Sequence, residues 1–221
     1  MITDRLRRIE STLAEGVGLV AVSKYHPVEM LREAYDAGQR VFGESRVQEL
    51  RDKHACMPGD VEWHFIGHLQ TNKVKYIAPY VSLIHAVDTF KLLEEISRQG
   101  ERVGRVIPCL LQLHVACEET KFGFTPDECL SMLAEGAWRN LEWARIEGLM
   151  CMATNTDDEA RIEREFGVAL QTFETAKREF FADEPTFRHR SWGMSDDYTI
   201  AMRCGATLVR IGSSIFGARN Y

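Results

Sequence analysis

The amino-acid sequence predicts an α/β fold, a single (β/α)8 TIM-type barrel with an extra amino-terminal helix, and three observations predict it. Short runs rich in Val, Ile and Leu alternate with amphipathic segments of helical period, the pattern of β/α units. Eight such runs can be counted, each bounded by turn or capping residues. The rival architecture, an open doubly wound sheet, usually carries Gly-x-Gly-x-x-Gly after its first strand or a Walker lysine motif, and the sequence has neither. A barrel needs roughly 200 residues at the least. With 221 residues, one barrel domain spanning 1–221 is expected to use the whole chain.

The elements follow in order. A polar helix is expected at about 4–15, then a first strand at 17–22. Pro27 opens a helix with Leu31, Ala34 and Tyr35 facing inward, and Gly38 closes it where a left-handed residue is wanted. Strands are expected at 40–42, 63–66 and 82–86; Asp88 is read as the cap of the next helix and Gly100 as its end. After a strand at 106–113, Thr125-Pro126-Asp127-Glu128 sets a capping Thr, a proline at the first helical position and a glutamate at the third. The strand at 145–150 leads to Thr156-Asp157-Asp158-Glu159, read as a second capping box. It precedes an apolar stripe of Ile162, Phe166, Ala169, Leu170 and Phe173, expected to be the longest helix. Strands at 188–192 and 207–211 complete the set.

Composition narrows the function. With 45% hydrophobic residues the chain can bury a substantial core, and a net charge of −6 gives no overall attraction to nucleic acid or to anionic membranes. No apolar run approaches the roughly 20 residues that span a bilayer, and Met1-Ile2-Thr3-Asp4-Arg5 does not start a secretory signal. A cytoplasmic protein is expected. The six cysteines are scattered with no Cys-x-x-Cys pair, so buried thiols are expected rather than disulfides or zinc ligands.

In barrels of this kind functional groups collect at the carboxyl ends of the strands. Val20-Ala21-Val22-Ser23-Lys24 puts an amine at such an end, where desolvation would free it for Schiff-base chemistry. Read alone, a strand-end lysine can equally snorkel to solvent. The last strand end tips the balance: Arg210-Ile211-Gly212-Ser213-Ser214 runs from a strand into a helix start, a turn able to offer N–H groups and hydroxyls to a phosphate. Ser191-Trp192-Gly193-Met194-Ser195 adds a small-residue turn beside it, although Gly193, Ser195 and Gly212 would also serve as ordinary turn and cap residues. A reactive lysine on one side of the mouth and a phosphate cradle on the other describe pyridoxal 5′-phosphate. Arg210 would then face the pyridine nitrogen, keep it unprotonated and weaken the cofactor as an electron sink, unless it is simply paired inside the barrel.

These segments are together recognisable. Ala21-Val22-Ser23-Lys24, Phe42-Gly43-Glu44-Ser45, Trp63-His64-Phe65-Ile66-Gly67-His68-Leu69-Gln70-Thr71-Asn72-Lys73, Lys121-Phe122-Gly123-Phe124, Gly193-Met194-Ser195-Asp196-Asp197 and Arg210-Ile211-Gly212-Ser213-Ser214 occur in that order. In them the chain resembles the pyridoxal phosphate homeostasis protein family, related in fold to the amino-terminal barrel of alanine racemase. The resemblance implies that Lys24 carries the cofactor as an internal aldimine, that Arg210 faces the pyridine nitrogen, and that Ser191, Gly212 and Ser213 help hold the phosphate. It implies storage or delivery of the cofactor without established catalysis, with pyridoxal phosphate-dependent apoenzymes as the recipients. It also sets Ser45 and Trp192 beside the cofactor, where the family usually has Asn and Met; His114 likewise stands where Asn is usual.

Alternatives stay open at this stage. Lys121 is a rival anchor, and an amino-acid racemase or lyase would use the same lysine with an opposing acid/base group. The residues left after a barrel offer no second domain to supply that group. His64 and His68 have a zinc-like i, i+4 spacing, but on a strand and loop rather than a helix, so no metal is expected. Lys73 and Lys75 read as a solvated face, and a monomer is expected.

Overall fold

A computed structural model describes residues 1–116 and 122–218. Helix α1 (Ile2–Glu10) precedes β1 (Gly18–Val22), α2 (Val28–Asp36), β2 (Val41–Glu44), α3 (Val47–Cys56) and β3 (Glu62–Phe65). A 3-10 turn (Thr71–Tyr76) leads to β4 (Leu83–Val87), α4 (Phe90–Val103), β5 (Ile107–Leu113) and α5 (Pro126–Glu135). Then come β6 (Ala144–Cys151), α6 (Glu159–Phe180), β7 (His189–Ser191), α7 (Tyr198–Arg203), β8 (Leu208–Ile211) and the short α8 (Ser213–Phe216). Each strand pairs in parallel with the next, and β8 closes on β1 with Gly18 opposite Leu208 and Val20 opposite Arg210. The sheet is a closed eight-stranded barrel, and all eight predicted strands are present.

Strand alternation sorts the side chains into two cores. The larger lies between strands and helices and includes Phe42, Trp63, Phe166 and Trp192, all at most 1% exposed. A separate small cluster joins Leu83, Ala86, Leu110 and Met150 with Leu208 beside it. Residues of β4, β5 and β6 can meet one from β8 only across the barrel interior.

The predicted α5 forms as read, with the Thr125–Glu128 capping box and Gly136 left-handed at its end (φ 76°). Two other helix ends differ. α4 is capped by Thr89, whose hydroxyl accepts the Leu92 N–H at 3.3 Å, while Asp88 is bonded to His68 instead. The helix also runs through Gly100 to Gly104. Gly100 marks a close approach and not a stop, because a Cβ there would lie 2.6 Å from the Trp143 carbonyl oxygen. α6 is the longest helix, 22 residues, and its cap is Asp158, which accepts the Arg161 N–H at 3.1 Å; Thr156 bonds the Asp158 N–H. α1 ends at Glu10, short of the expected 15.

Among the described cysteines, Cys109, Cys129 and Cys151 are buried and Cys204 is half-buried. Burial pushes the Cys129 thiol up to about 12. Cys56, at the end of α3, is exposed, contrary to the expectation of buried thiols.

Candidate functional site

Parallel strands send all their carboxyl ends to one mouth, and a cavity of about 160 Å³ opens there. Lys24, Arg210, Gly212 and Ser213 line it together, with Val22, Ile66 and Met152 as apolar wall. Met194, Ser195 and Asp196 close the β7 side, and His26, stacked on Phe216, closes the β1 side. A larger cavity of about 660 Å³ lies at the opposite end, lined by Gly18, His189, Thr207 and Leu208 at the strand starts. Of the residues singled out by sequence, Lys24, Arg210, Gly212 and Ser213 face the smaller one.

Lys24 sits one residue past Ser23, in a tight turn after β1, and is half-buried. The next residue, Tyr25, is the only non-glycine with positive φ among the described residues (φ 68°), a conformation that costs a bulky side chain energy and needs support. Glu49 accepts the Tyr25 N–H at 2.6 Å. Lys53 donates to the Ser23 carbonyl at 2.7 Å, to Glu44 at 2.7 Å and to Glu49 at 2.6 Å, and the Ser23 hydroxyl donates to Glu44 at 2.6 Å. Burial pushes the Glu44 carboxyl up to about 7 against the pull of Lys53. One Glu44 oxygen, Oε2, has no hydrogen-bond partner among the described residues.

Arg210 reaches inward from β8 and is 4% exposed. Its NH1 donates to the Ser191 carbonyl at 2.7 Å and to the Ser191 hydroxyl at 2.6 Å, and its NH2 to the Cys151 carbonyl at 2.9 Å. Burial lowers its pKa, but a guanidinium keeps its charge. Ser191 is itself fully buried and continues the chain: His85 Nδ1 lies 2.9 Å from its hydroxyl, and His85 Nε2 lies 2.9 Å from His64 Nδ1. Desolvation lowers the His64 pKa to about 3 and holds His85 well below the usual histidine range, so both rings are neutral.

On the phosphate side, the Gly212 N–H donates to the Ser195 hydroxyl at 3.3 Å, joining the β7 and β8 turns. A Cβ at Gly212 would lie 3.0 Å from the Val22 carbonyl oxygen, so β8 leaves the barrel tight against β1. Ser213, exposed, is the first residue of α8.

Not all predicted residues reach the cavity. Ser191 lies beneath it as the support of Arg210. Trp192 points the other way, since successive strand residues face opposite sides. Its ring is fully buried in the outer core, and its Nε1 donates to the Cys204 carbonyl at 3.3 Å. Ser45 packs against Gly67, where a Cβ would lie 2.7 Å from the Ser45 Cα, and is not on the cavity wall. His64 and His68 diverge, His64 meeting His85 at 2.9 Å and His68 pairing with Asp88 at 2.7 Å, and no cluster of three or more His, Cys, Asp or Glu side chains suited to a metal ion is found among the described residues. Lys73 and Lys75 are exposed. Lys121 lies outside the described residues. Sequence reasoning missed His85, Glu44 and Lys53; a histidine within Leu83-Ile84-His85-Ala86-Val87 and a glutamate closing β2 were the available signals.

The family model for the alanine racemase N-terminal domain matches residues 1–220. A pyridoxal phosphate homeostasis protein of Pasteurella multocida is 38% identical over 93% of this chain and 88% of its own length. One of Schizosaccharomyces pombe is 38% identical over 95% and 87%. The structure of PipY from Synechococcus elongatus with PLP bound superposes with a TM-score of 0.88 at 34% identity, covering 98% of this chain and all of that one. An alanine racemase of Clostridium difficile shares the fold (TM-score 0.76, 13% identity), this chain matching 56% of its length. By sequence and by fold, the chain belongs to the alanine racemase N-terminal domain family and, within it, to the pyridoxal phosphate homeostasis proteins.

Proposed function

We propose that this protein holds pyridoxal 5′-phosphate at Lys24 and stores or delivers it to pyridoxal phosphate-dependent apoenzymes in the cytoplasm, as a monomer and without turning over a substrate. The observation that carries this is a buried guanidinium, Arg210, with no ion-pair partner among the described residues, in the same cavity as Lys24. A desolvated cation with only carbonyl and hydroxyl acceptors is costly and suits an external acceptor or anion. The donor set fits the cofactor: an amine, spare guanidinium N–H groups, and two turns rich in N–H and hydroxyl groups that meet at Gly212 and Ser195. Bound there, the cofactor supplies an aldehyde with which a primary amine condenses, the aldehyde oxygen leaving as water.

Each residue has a task. Lys24 presents the amine at the cavity edge. Arg210 donates to a ring nitrogen and, being permanently charged, keeps that nitrogen from taking a proton. Gly212, Ser213 and Ser195 offer donors to the phosphate, and Ser191 fixes the Arg210 fork. An arginine in that place restrains carbanion chemistry, which supports a carrier over a racemase or lyase.

The test is the visible spectrum with and without added pyridoxal 5′-phosphate, followed by borohydride reduction and peptide mapping. The label is expected on Lys24 and is expected to vanish in Lys24→Ala. A label on Lys121 would move the anchor; no label at all would remove the reading. Measurable racemisation or cleavage of amino acids by the loaded protein would favour the enzyme.

A further inference from the structure

Lys24 itself is displayed by a buried charged cluster that none of the cofactor contacts requires. Both of its chain neighbours are tied down from α3: the Ser23 carbonyl accepts from Lys53 at 2.7 Å and the Tyr25 N–H donates to Glu49 at 2.6 Å. The Ser23 side chain is tied from β2, through Glu44. Lys53 is 5% exposed and Glu44 fully buried, so these bonds are made out of water, where charge-assisted hydrogen bonds are strongest. They converge on the turn that holds Tyr25, the one residue among those described whose backbone is left-handed without being glycine. The apolar contacts of α3 are separate from these bonds: Leu50 lies in the main hydrophobic cluster and Val47 packs against it.

We propose that Lys53 and Glu49 of α3, with Glu44 of β2, are positioning residues that hold the Ser23-Lys24-Tyr25 turn in its strained form and so fix the reach of the Lys24 amine into the cavity. The inference rests on the assignment of Lys24 as anchor. The hydrogen bonds of the cluster end on Ser23 and Tyr25, the two neighbours of Lys24, and none of them reaches Arg210 or the phosphate turns after β7 and β8. It predicts a split between covalent capture at Lys24 and non-covalent occupancy of the same cavity.

Glu49 gives the cleanest variants, because its partly exposed side chain can be changed without emptying the core. Two ligands are compared: pyridoxal 5′-phosphate, which can be fixed to Lys24 by borohydride, and pyridoxamine 5′-phosphate, which lacks the aldehyde. In Glu49→Ala the rate of borohydride-fixed labelling at Lys24 is expected to fall about tenfold or more, the scale of one lost charge-assisted hydrogen bond, while the affinity for pyridoxamine 5′-phosphate stays within about twofold. Glu49→Gln keeps an acceptor for the Tyr25 N–H and is expected to restore most of the rate. Equal losses for both ligands, or failure of Gln to rescue, would show a merely structural cluster and overturn the proposal, as would an unchanged rate in Glu49→Ala. No labelling of Lys24 in the unaltered protein would instead remove the anchor assignment, a failure visible before any variant is made.

Discussion

Lys53 and Arg210 are buried to the same degree, 5% and 4% exposed, on adjoining walls of one barrel mouth, yet they are solvated by the protein in different ways. Lys53 is surrounded by charge: Glu44 and Glu49 each accept from it, with the Ser23 carbonyl completing its three donors. Arg210 is hydrogen-bonded to dipoles alone, the Ser191 and Cys151 carbonyls and the Ser191 hydroxyl, and the one carboxylate whose charge acts on it, Asp197, makes no ion-pair contact with it among the described residues. A buried cation that meets its counter-charge inside the chain is part of the framework. One hydrogen-bonded only to dipoles carries a desolvation cost that a ligand can relieve, which is why Arg210 reads as a ligand contact and Lys53 as a support of the Lys24 turn.

The comparison breaks most directly in unfolding free energies. Lys53→Met leaves the fully buried Glu44 carboxylate without its cation and is expected to cost about 3–5 kcal/mol in urea unfolding. Arg210→Met removes a charge that no carboxylate contacts directly, and its cost is expected to be less than half as large, the price of the carbonyls left without donors. The ligand readout reverses: Arg210→Met is expected to lower pyridoxal 5′-phosphate affinity at least about tenfold, the scale of a hydrogen bond from a charged group. Comparable destabilisation by the two variants would mean that Asp197, without contact, serves Arg210 as fully as Glu44 and Glu49 serve Lys53.

The two walls also respond to acid with opposite sign. The Glu44 carboxyl is raised from 4.5 to about 7 by burial, so the native state holds a proton that the unfolded chain has already lost. Its contribution favours the native state at low pH and is lost as pH rises from about 4.5 to about 7. Lys53 tolerates a neutral Glu44 because Glu49 remains bonded to it. His64, lowered by burial from 6.5 to about 3, does the reverse. The unfolded chain takes up a proton that the native ring refuses, so this stability is complete above about 6.5 and is lost as pH falls toward 3. In a series of urea midpoints against pH, Glu44→Gln is expected to remove a downward slope between about 4.5 and 7. His64→Asn, which keeps a polar atom toward His85, is expected to remove an upward slope between about 3 and 6.5. A shared sign in the two difference curves would contradict the assignment of one wall as acid-favoured.

The sequence made some of this legible and hid the rest for a definable reason. The strands were readable because apolar runs and capping residues are local, and α5 was readable from four consecutive residues, Thr125 to Glu128. Lys24, Arg210, Gly212 and Ser213 were readable because position at a strand end is itself a functional signal. Gly100 misled because a glycine required by the neighbouring Trp143 carbonyl looks, in sequence, like one that ends a helix. Trp192 and Ser45 sit beside residues that matter, and a step of one along a strand turned the Trp192 ring to the outer core. Glu49 and Lys53 stand at the helical i, i+4 spacing, but the other supports of the two cations were invisible because their partners are distant: Lys53 meets Ser23 across 30 residues, and His85 meets Ser191 across 106. Spacing along the chain carries no trace of such pairs.

The smallest expected effect tests how the dipole wall is built. Ser191 gives Arg210 two acceptors, a carbonyl that survives any substitution and a hydroxyl that Ser191→Ala removes. The same change takes the hydroxyl from His85 Nδ1, leaving that neutral ring bonded to His64 alone. Loss of a neutral hydroxyl among dipoles is expected to cost about 1 kcal/mol, or about 2–4 °C in Tm for a chain of this size. The affinity for pyridoxal 5′-phosphate should fall less than in Arg210→Met, because the carbonyls of Ser191 and Cys151 still aim the fork. A loss as large as that of Lys53→Met would mean that the serine and its two histidines stabilise the guanidinium charge as strongly as carboxylates stabilise Lys53. Burial without ion pairing would then be a property of the whole polar interior and not a mark of the ligand site.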